Sequence, residues 1–223
     1  MDHKRITIFT GNFGSGKTEI SINFSLWLKE HYEKVAIADL DVVNPYFRSR
    51  DQAEELEKEG IKVIYPERLK QSDLPILSSK IKSIINDKSL YGVFDVGGDE
   101  DGSIALSSLA GDIEEDEYEM LFVVNTNRPW TSDVEGIIDT KKRIENKSRL
   151  SFDGLIANIN LGTETTAEDI LDDYPLIEQA ADEMNLPIKF IAVERTLLNT
   201  LEKSDNLTEQ ELFPLDIHMK PPW

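Results

Sequence analysis

No cysteine occurs in the 223 residues. That excludes disulfides, thiolate metal sites, a cysteine nucleophile and Cys-ligated iron–sulfur clusters. Long apolar stretches are missing too. Nothing approaches the run of about eighteen apolar residues that a membrane helix needs, and the chain opens on charged residues rather than a signal segment. A soluble cytoplasmic protein is the expectation. Histidine is scarce: His3, His31 and His218 lie far apart, and none is assigned a role. Positive charge is in short supply, with 24 Lys and Arg against 43 Asp and Glu, for a net charge of −19. Such a surface repels nucleic acid and anionic membranes, so neither is an expected partner. The one basic concentration, Lys141-Lys142-Arg143 with Lys147 and Arg149, reads as a solvated helix face, with a local docking patch as the alternative.

What is present is a complete G-x-x-x-x-G-K-[ST] phosphate loop, Gly11-Asn12-Phe13-Gly14-Ser15-Gly16-Lys17-Thr18. It follows the apolar run Ile6–Phe9 and opens a helical pattern at Ile20, Phe24, Trp27 and Leu28. The glycines let the backbone curl so that several N–H groups converge, and the new helix adds its positive end there. Lys17 is expected to place a point charge on the β- and γ-phosphates, and the Thr18 hydroxyl to ligate Mg²⁺. A nucleoside triphosphate is the predicted ligand.

Strands and helices alternate along the whole chain. Arg5–Thr10, Lys34–Asp39, Ile61–Tyr65, Tyr91–Val96, Met120–Asn125, Gly154–Ile159 and Ile188–Val193 read as seven strands, most of them near-continuous apolar runs, as in strands buried on both faces. Helical patterns lie near Thr18–His31, Asp51–Glu59, Pro75–Asn86, Ser103–Leu109, Asp133–Lys147 and Pro175–Glu183, with Ser132-x-x-Glu135 as a capping box before the fifth. Such βαβ repetition predicts an α/β fold, a mostly parallel doubly wound sheet with helices on both faces. Residues 1–203 read as one nucleotide-binding domain. Residues 204–223, ending Pro221-Pro222-Trp223, read as an extension that packs on the domain or projects from it as a docking tail.

Doubly wound folds bind ligands at the carboxyl ends of their strands. After the second strand come Asp39 and Asp41, two carboxylates that need a nearby cation such as Mg²⁺ or the loop lysine; a plain Asx-turn is the alternative. After the fourth comes Asp95-Val96-Gly97-Gly98, a Walker B pattern. Asp95 is expected to hold Mg²⁺, and Gly98 to let a backbone N–H approach the γ-phosphate. After the fifth and sixth come Asn125-Thr126-Asn127-Arg128-Pro129 and Ala157-Asn158-Ile159-Asn160. These asparagines either pair with adenine or terminate strands as turn residues. No Asn-Lys-x-Asp guanine reader occurs there, which favours ATP over GTP.

Taken together these residues resemble the SIMIBI class of P-loop NTPases, and within it the MinD/ParA/CobQ–CobB-like nucleotide-binding family. The phrases GNFGSGKTEI, DLDVVNPYFRSR, DVGGDEDG, NLGTETT and the PPW ending also look like a group of bacterial ATP-binding proteins. The resemblance implies that Lys17 and Thr18 serve phosphate and Mg²⁺, that Asp41 positions the attacking water, that Asp39 and Asp95 serve the metal, and that Asn158 contacts the base. It also implies a possible homodimer. MinD and ParA proteins carry a signature lysine early in the loop, where this chain has Asn12, so a lysine acting across a dimer is not implied. Arg48, Arg50 or Arg128 stand as substitutes for that charge.

Two activities follow. One is a Mg-dependent ATPase acting as a switch for an unidentified client protein, with Asn44-Pro45-Tyr46-Phe47 offering aromatics to the partner. The other is an ATP-dependent phosphotransferase or ligase, with Arg48, Arg50 and Arg128 near an anionic substrate. An ATP sensor that hardly hydrolyses is a third reading, disfavoured by the acidic set Asp39, Asp41 and Asp95.

Overall fold

The computed structural model describes residues 3–40, 52–65, 74–98, 100–114, 117–204, 207 and 211–219. Asp41, the 44–47 aromatics, Arg48, Arg50 and Pro221-Pro222-Trp223 lie outside the described residues.

Strands β1 (Ile6–Gly11), β2 (Val35–Asp39), β3 (Ile61–Ile64), β4 (Tyr91–Gly97), β5 (Tyr118–Val124), β6 (Gly154–Ala157), β7 (Ile188–Glu194) and β8 (Leu212–Leu215) form one sheet in the order β3-β2-β4-β1-β5-β6-β7-β8. Every described pairing is parallel. Helices α1 (Lys17–His31), α2 (Ala53–Lys58), α3 (Leu74–Asn86), α4 (Glu100–Ser107), α5 (Ala110–Glu114), α6 (Val134–Ser148), α7 (Ala167–Met184) and α8 (Leu198–Leu201) complete the chain. All six residues of β1 and all five of β2 are buried, which explains their unbroken apolar sequence.

Alternation sends side chains to two cores. Ile6, Ile8, Phe94 and Phe122 join the larger one. Phe9, Val93 and Leu121 face the other, which α1 closes with Ile20, Phe24 and Leu28. Phe24 meets Phe9 edge to face at 5.2 Å. β1 lies between β4 and β5, so the loop that follows it emerges mid-sheet, beside the ends of β4, β5 and β6.

Helices α5 and α8 were not expected from the sequence, and three further features differ from that reading. Residues 212–215 form an eighth strand, pairing Phe213 with Ala192 and Leu215 with Glu194. Pro214 obscured it, because a proline that cannot donate argues against a strand; at the end of the sheet order that missing N–H is tolerated. α7 begins well before Pro175, which sits inside the helix. Its start is a capping box in which Thr166 and Asp169 each accept from the other's backbone N–H. Finally, α6 is capped by Asp133, whose Oδ1 accepts from Gly136 N at 2.7 Å, rather than by Ser132, whose hydroxyl donates to Pro129 O.

Candidate functional site

The segment joining β1 to α1 is a tight loop closed by a hydrogen bond from Ser15 N to Asn12 O at 3.0 Å. Gly16, at φ +88°, is the N-cap of α1 and supplies no side-chain cap. The positive end of a fifteen-residue helix is therefore left for an external anion. A Cβ at Gly16 would overlap the Asn158 carboxamide, so only glycine fits the turn and the close approach together. Lys17 and Thr18 are 4% and 7% exposed in the first turn of α1.

Side chains from neighbouring strand ends hold the loop by its carbonyls. Asn158, just after β6, donates from Nδ2 to Ser15 O at 2.6 Å. Arg128 donates from Nε to Gly14 O at 2.8 Å. Asn125 Nδ2 reaches Gly14 O at 3.4 Å and Asn160 O at 2.9 Å, while its Oδ1 accepts from Asn127 N and Asn160 N. Asn12 is buried, and its Oδ1 accepts from Arg143 Nη2 of α6 at 2.9 Å. A phosphate loop binds with its amides, and these bonds anchor the opposite poles of its peptides.

The acidic side of the site comes from β2 and β4. Asp39 and Asp95 are directly paired in the parallel register, and both are fully buried. Two carboxylates on one face of adjacent strands require compensating positive charge, the role that Lys17 and a divalent cation suit. Gly98 follows β4 against the loop itself: a Cβ there would overlap Gly11 O and come within 3.1 Å of Asn12 N. The Walker B turn and the phosphate loop are thus in backbone contact. Ser15 Oγ is buried with no hydrogen-bond partner among the described residues, a polar atom that a bound phosphate or its hydrated metal would satisfy. On these counts the residues present fit a Mg²⁺–nucleotide.

The structure brings together Gly11, Asn12, Phe13, Gly14, Ser15, Gly16, Lys17, Thr18, Asp39, Asp95, Gly98 and Asn158 at one end of the sheet. It ties Asn158 Nδ2 to the loop carbonyl of Ser15. Arg128, a candidate for a catalytic charge, has its Nε on Gly14 O. Arg143 was missed as a loop contact, since its only sequence signal is a place in a basic helix. A cleft of about 560 Å³ lined by Asp133, Val134, Pro175 and Gln179 lies between α6 and α7 and includes none of these residues.

The Asn158 geometry separates its two roles. Asn158→Ala is expected to weaken ATP and GTP alike, roughly five-fold, the loss of about 1 kcal/mol from one buried hydrogen bond. A loss confined to ATP in a competition titration would instead assign Asn158 to the base.

No family model and no curated protein matches the chain. Solved structures do. FtsY from Mycoplasma mycoides superposes with a TM-score of 0.58 at 19% identity, over 86% of this chain and 62% of that one. Chloroplast FtsY from Physcomitrella patens gives 0.59 at 15% identity, over 86% and 59%. The signal recognition particle 54 kDa protein from Aeropyrum pernix, solved in complex with GDP, gives 0.54 at 18% identity, over 83% and 40%. The chain thus spans about three fifths of the two FtsY structures. The likeness does not single out the MinD/ParA branch. Among the described residues no helix is long and apolar enough to cross a membrane. By its parallel eight-stranded sheet, and by its likeness to the FtsY and signal recognition particle structures, the chain has the α/β fold of a P-loop NTPase.

Proposed function

We propose that this protein is a Mg²⁺-dependent ATPase that works as a nucleotide-driven switch for a partner protein. The observation that carries the proposal is the backbone contact between Gly98 and the phosphate loop, beside the buried pair Asp39 and Asp95. A loop touching the Walker B turn is a two-part detector: whatever occupies the first displaces or orders the second.

In this reading the loop amides and the start of α1 bind the β- and γ-phosphates, and Lys17 adds its charge to the oxygens that become more negative during transfer. Thr18, Asp39 and Asp95 would hold Mg²⁺, which would neutralise phosphate charge. Asp41 orients the attacking water. Gly98 carries an N–H to the γ-phosphate, so loss of that group frees the segment beyond β4. Phe13 in the loop is 72% exposed, and Ile104 and Trp130 are 58% and 66% exposed, apolar surface suited to a client or a second copy of the chain. The phosphotransferase alternative asks Arg48, Arg50 and Arg128 to bind an anionic substrate; Arg128 has its Nε on Gly14 O, and Arg48 and Arg50 lie outside the described residues.

ATP is proposed over GTP because neither strand-end asparagine segment forms the Asn-Lys-x-Asp reader. The GDP in the Aeropyrum structure makes the comparison worth measuring directly. Phosphate release should be followed with Mg-ATP and Mg-GTP across protein concentration. Slow turnover, faster with ATP and rising per molecule with concentration or with partner, is expected. A fast basal rate indifferent to both would overturn the switch reading.

A further inference from the structure

Two residues beyond Lys17, Glu19 is 9% exposed, and both of its carboxylate oxygens are occupied by the segment that follows β8. Oε1 accepts from His218 N at 2.7 Å and Oε2 from Met219 N at 3.0 Å. One turn further, Asn23 makes a reciprocal pair with Asp216, accepting from its N–H at 2.9 Å and donating to its carbonyl at 2.9 Å. The same Asn23 Nδ2 donates to Glu19 O, joining the two grips. Arg195, after β7, holds the Asp216 carboxylate with two donors at 2.7 and 2.6 Å. Gln52 donates from Nε2 to His218 O at 3.1 Å.

Residues 216–219 therefore run as a strap over the first two turns of α1, bound mainly through their own backbone. That is a costly way to fasten a segment with no further task, since it buries a carboxylate. Burial holds the Glu19 carboxyl above its ordinary value, an effect the His218 and Met219 amides only partly offset. The strap's other edge is bonded to Gln52, the first described residue after 41–51, the stretch that includes Asp41 and the sequence-predicted partner aromatics. One short segment thus touches both the helix that starts with Lys17 and Thr18 and, through Gln52, the start of the chain leading into α2.

We propose that Glu19 is a positioning residue for the phosphate site: it clamps the 216–219 strap across the start of α1, so that strap and nucleotide bind cooperatively. The inference rests on the phosphate-loop reading above. With the strap seated, the first turn of α1 is held from its outer side while the loop side is held by Asn158 and Arg128. A phosphate at the helix start stiffens that same turn and so tightens the strap. Coupling of this kind is reciprocal: the factor by which the strap improves nucleotide affinity is the factor by which nucleotide stabilises the strap.

The test measures both directions in the full chain. Binding of mant-ATP and mant-GTP with Mg²⁺ is titrated for wild type, Glu19→Ala, Glu19→Gln and a chain stopped after Leu215. Hydrogen exchange at the His218 and Met219 amides is read in wild type with and without nucleotide. The expected result is about tenfold weaker binding in Glu19→Ala and in the shortened chain, within the usual range of coupling between sites, with Glu19→Gln intermediate. Nucleotide should slow exchange at the two amides by a similar factor. A merely structural role would lower the melting temperature without making strap exchange depend on nucleotide. Wild-type binding with unchanged affinity in Glu19→Gln, and exchange at 218 and 219 indifferent to nucleotide, overturns the proposal and leaves the phosphate-loop reading standing. Should the shortened chain fail to fold, Glu19→Gln and the wild-type exchange still decide. Absence of any nucleotide binding by wild type would overturn both.

Discussion

Lys17→Ala is expected to weaken Mg-ATP binding by roughly ten- to a hundred-fold, the loss of a charge-assisted hydrogen-bonding group of about 1.5–3 kcal/mol, and to abolish measurable turnover. Lys17 is the first residue of α1 and only 4% exposed, so its side chain is largely shielded from solvent. The same end of the sheet holds Asp39 and Asp95, both fully buried. Removing a cation there leaves two desolvated carboxylates facing an incoming triphosphate, an electrostatic penalty added to the lost contact. Lys17→Arg should not rescue, because a planar guanidinium cannot occupy the place of a compact ammonium under a curled loop. Titration calorimetry and phosphate release on folded variants check this. Affinity within a factor of two of wild type would remove Lys17 from the site.

Gly98→Ala should act through geometry rather than charge. One methyl group added there would overlap the Gly11 carbonyl, and the neighbour is backbone, which has no rotamer to give. The Walker B turn and the phosphate loop must then separate. Misplacement by about 1 Å costs on the order of 10²-fold in rate when reacting groups are held in register, so turnover should fall by roughly that factor, with a smaller loss of affinity. Gly111→Ala is the matched control: nothing lies within 4 Å of a Cβ at that position in α5, and turnover should be unchanged. Equal turnover in wild type and Gly98→Ala would show that the two segments do not work as one unit.

The parts of the site made of local sequence were the legible ones. The phosphate loop is a contiguous eight-residue pattern whose spacing is set by the turn it must make, and Asp39, Asp95 and Gly98 could be found because they end apolar runs. Parallel sheet architecture was legible for the same reason, since strands buried on both faces have no polar alternation to confuse them. What stayed hidden were contacts between distant residues. Asn158 and Ser15 stand 143 positions apart, and Arg143 and Asn12 stand 131 apart; nothing local marks either bond. Asn158 reads equally as a base contact, since a carboxamide at a strand end suits both tasks. β8 was masked by Pro214, whose missing N–H is tolerated at the end of the sheet order, and the α7 start by Pro175, which the helix carries in its interior at the cost of one backbone hydrogen bond. The Thr166–Asp169 box was there to be read, but the proline drew the boundary past it.

Equilibrium binding of Mg-ATP to the wild-type chain, with Mg-GTP as competitor, tests the central claim most directly. Saturable one-to-one binding, tighter for ATP and lost in Lys17→Ala, is the predicted result. No binding of either nucleotide, or binding untouched by Lys17→Ala, would contradict it.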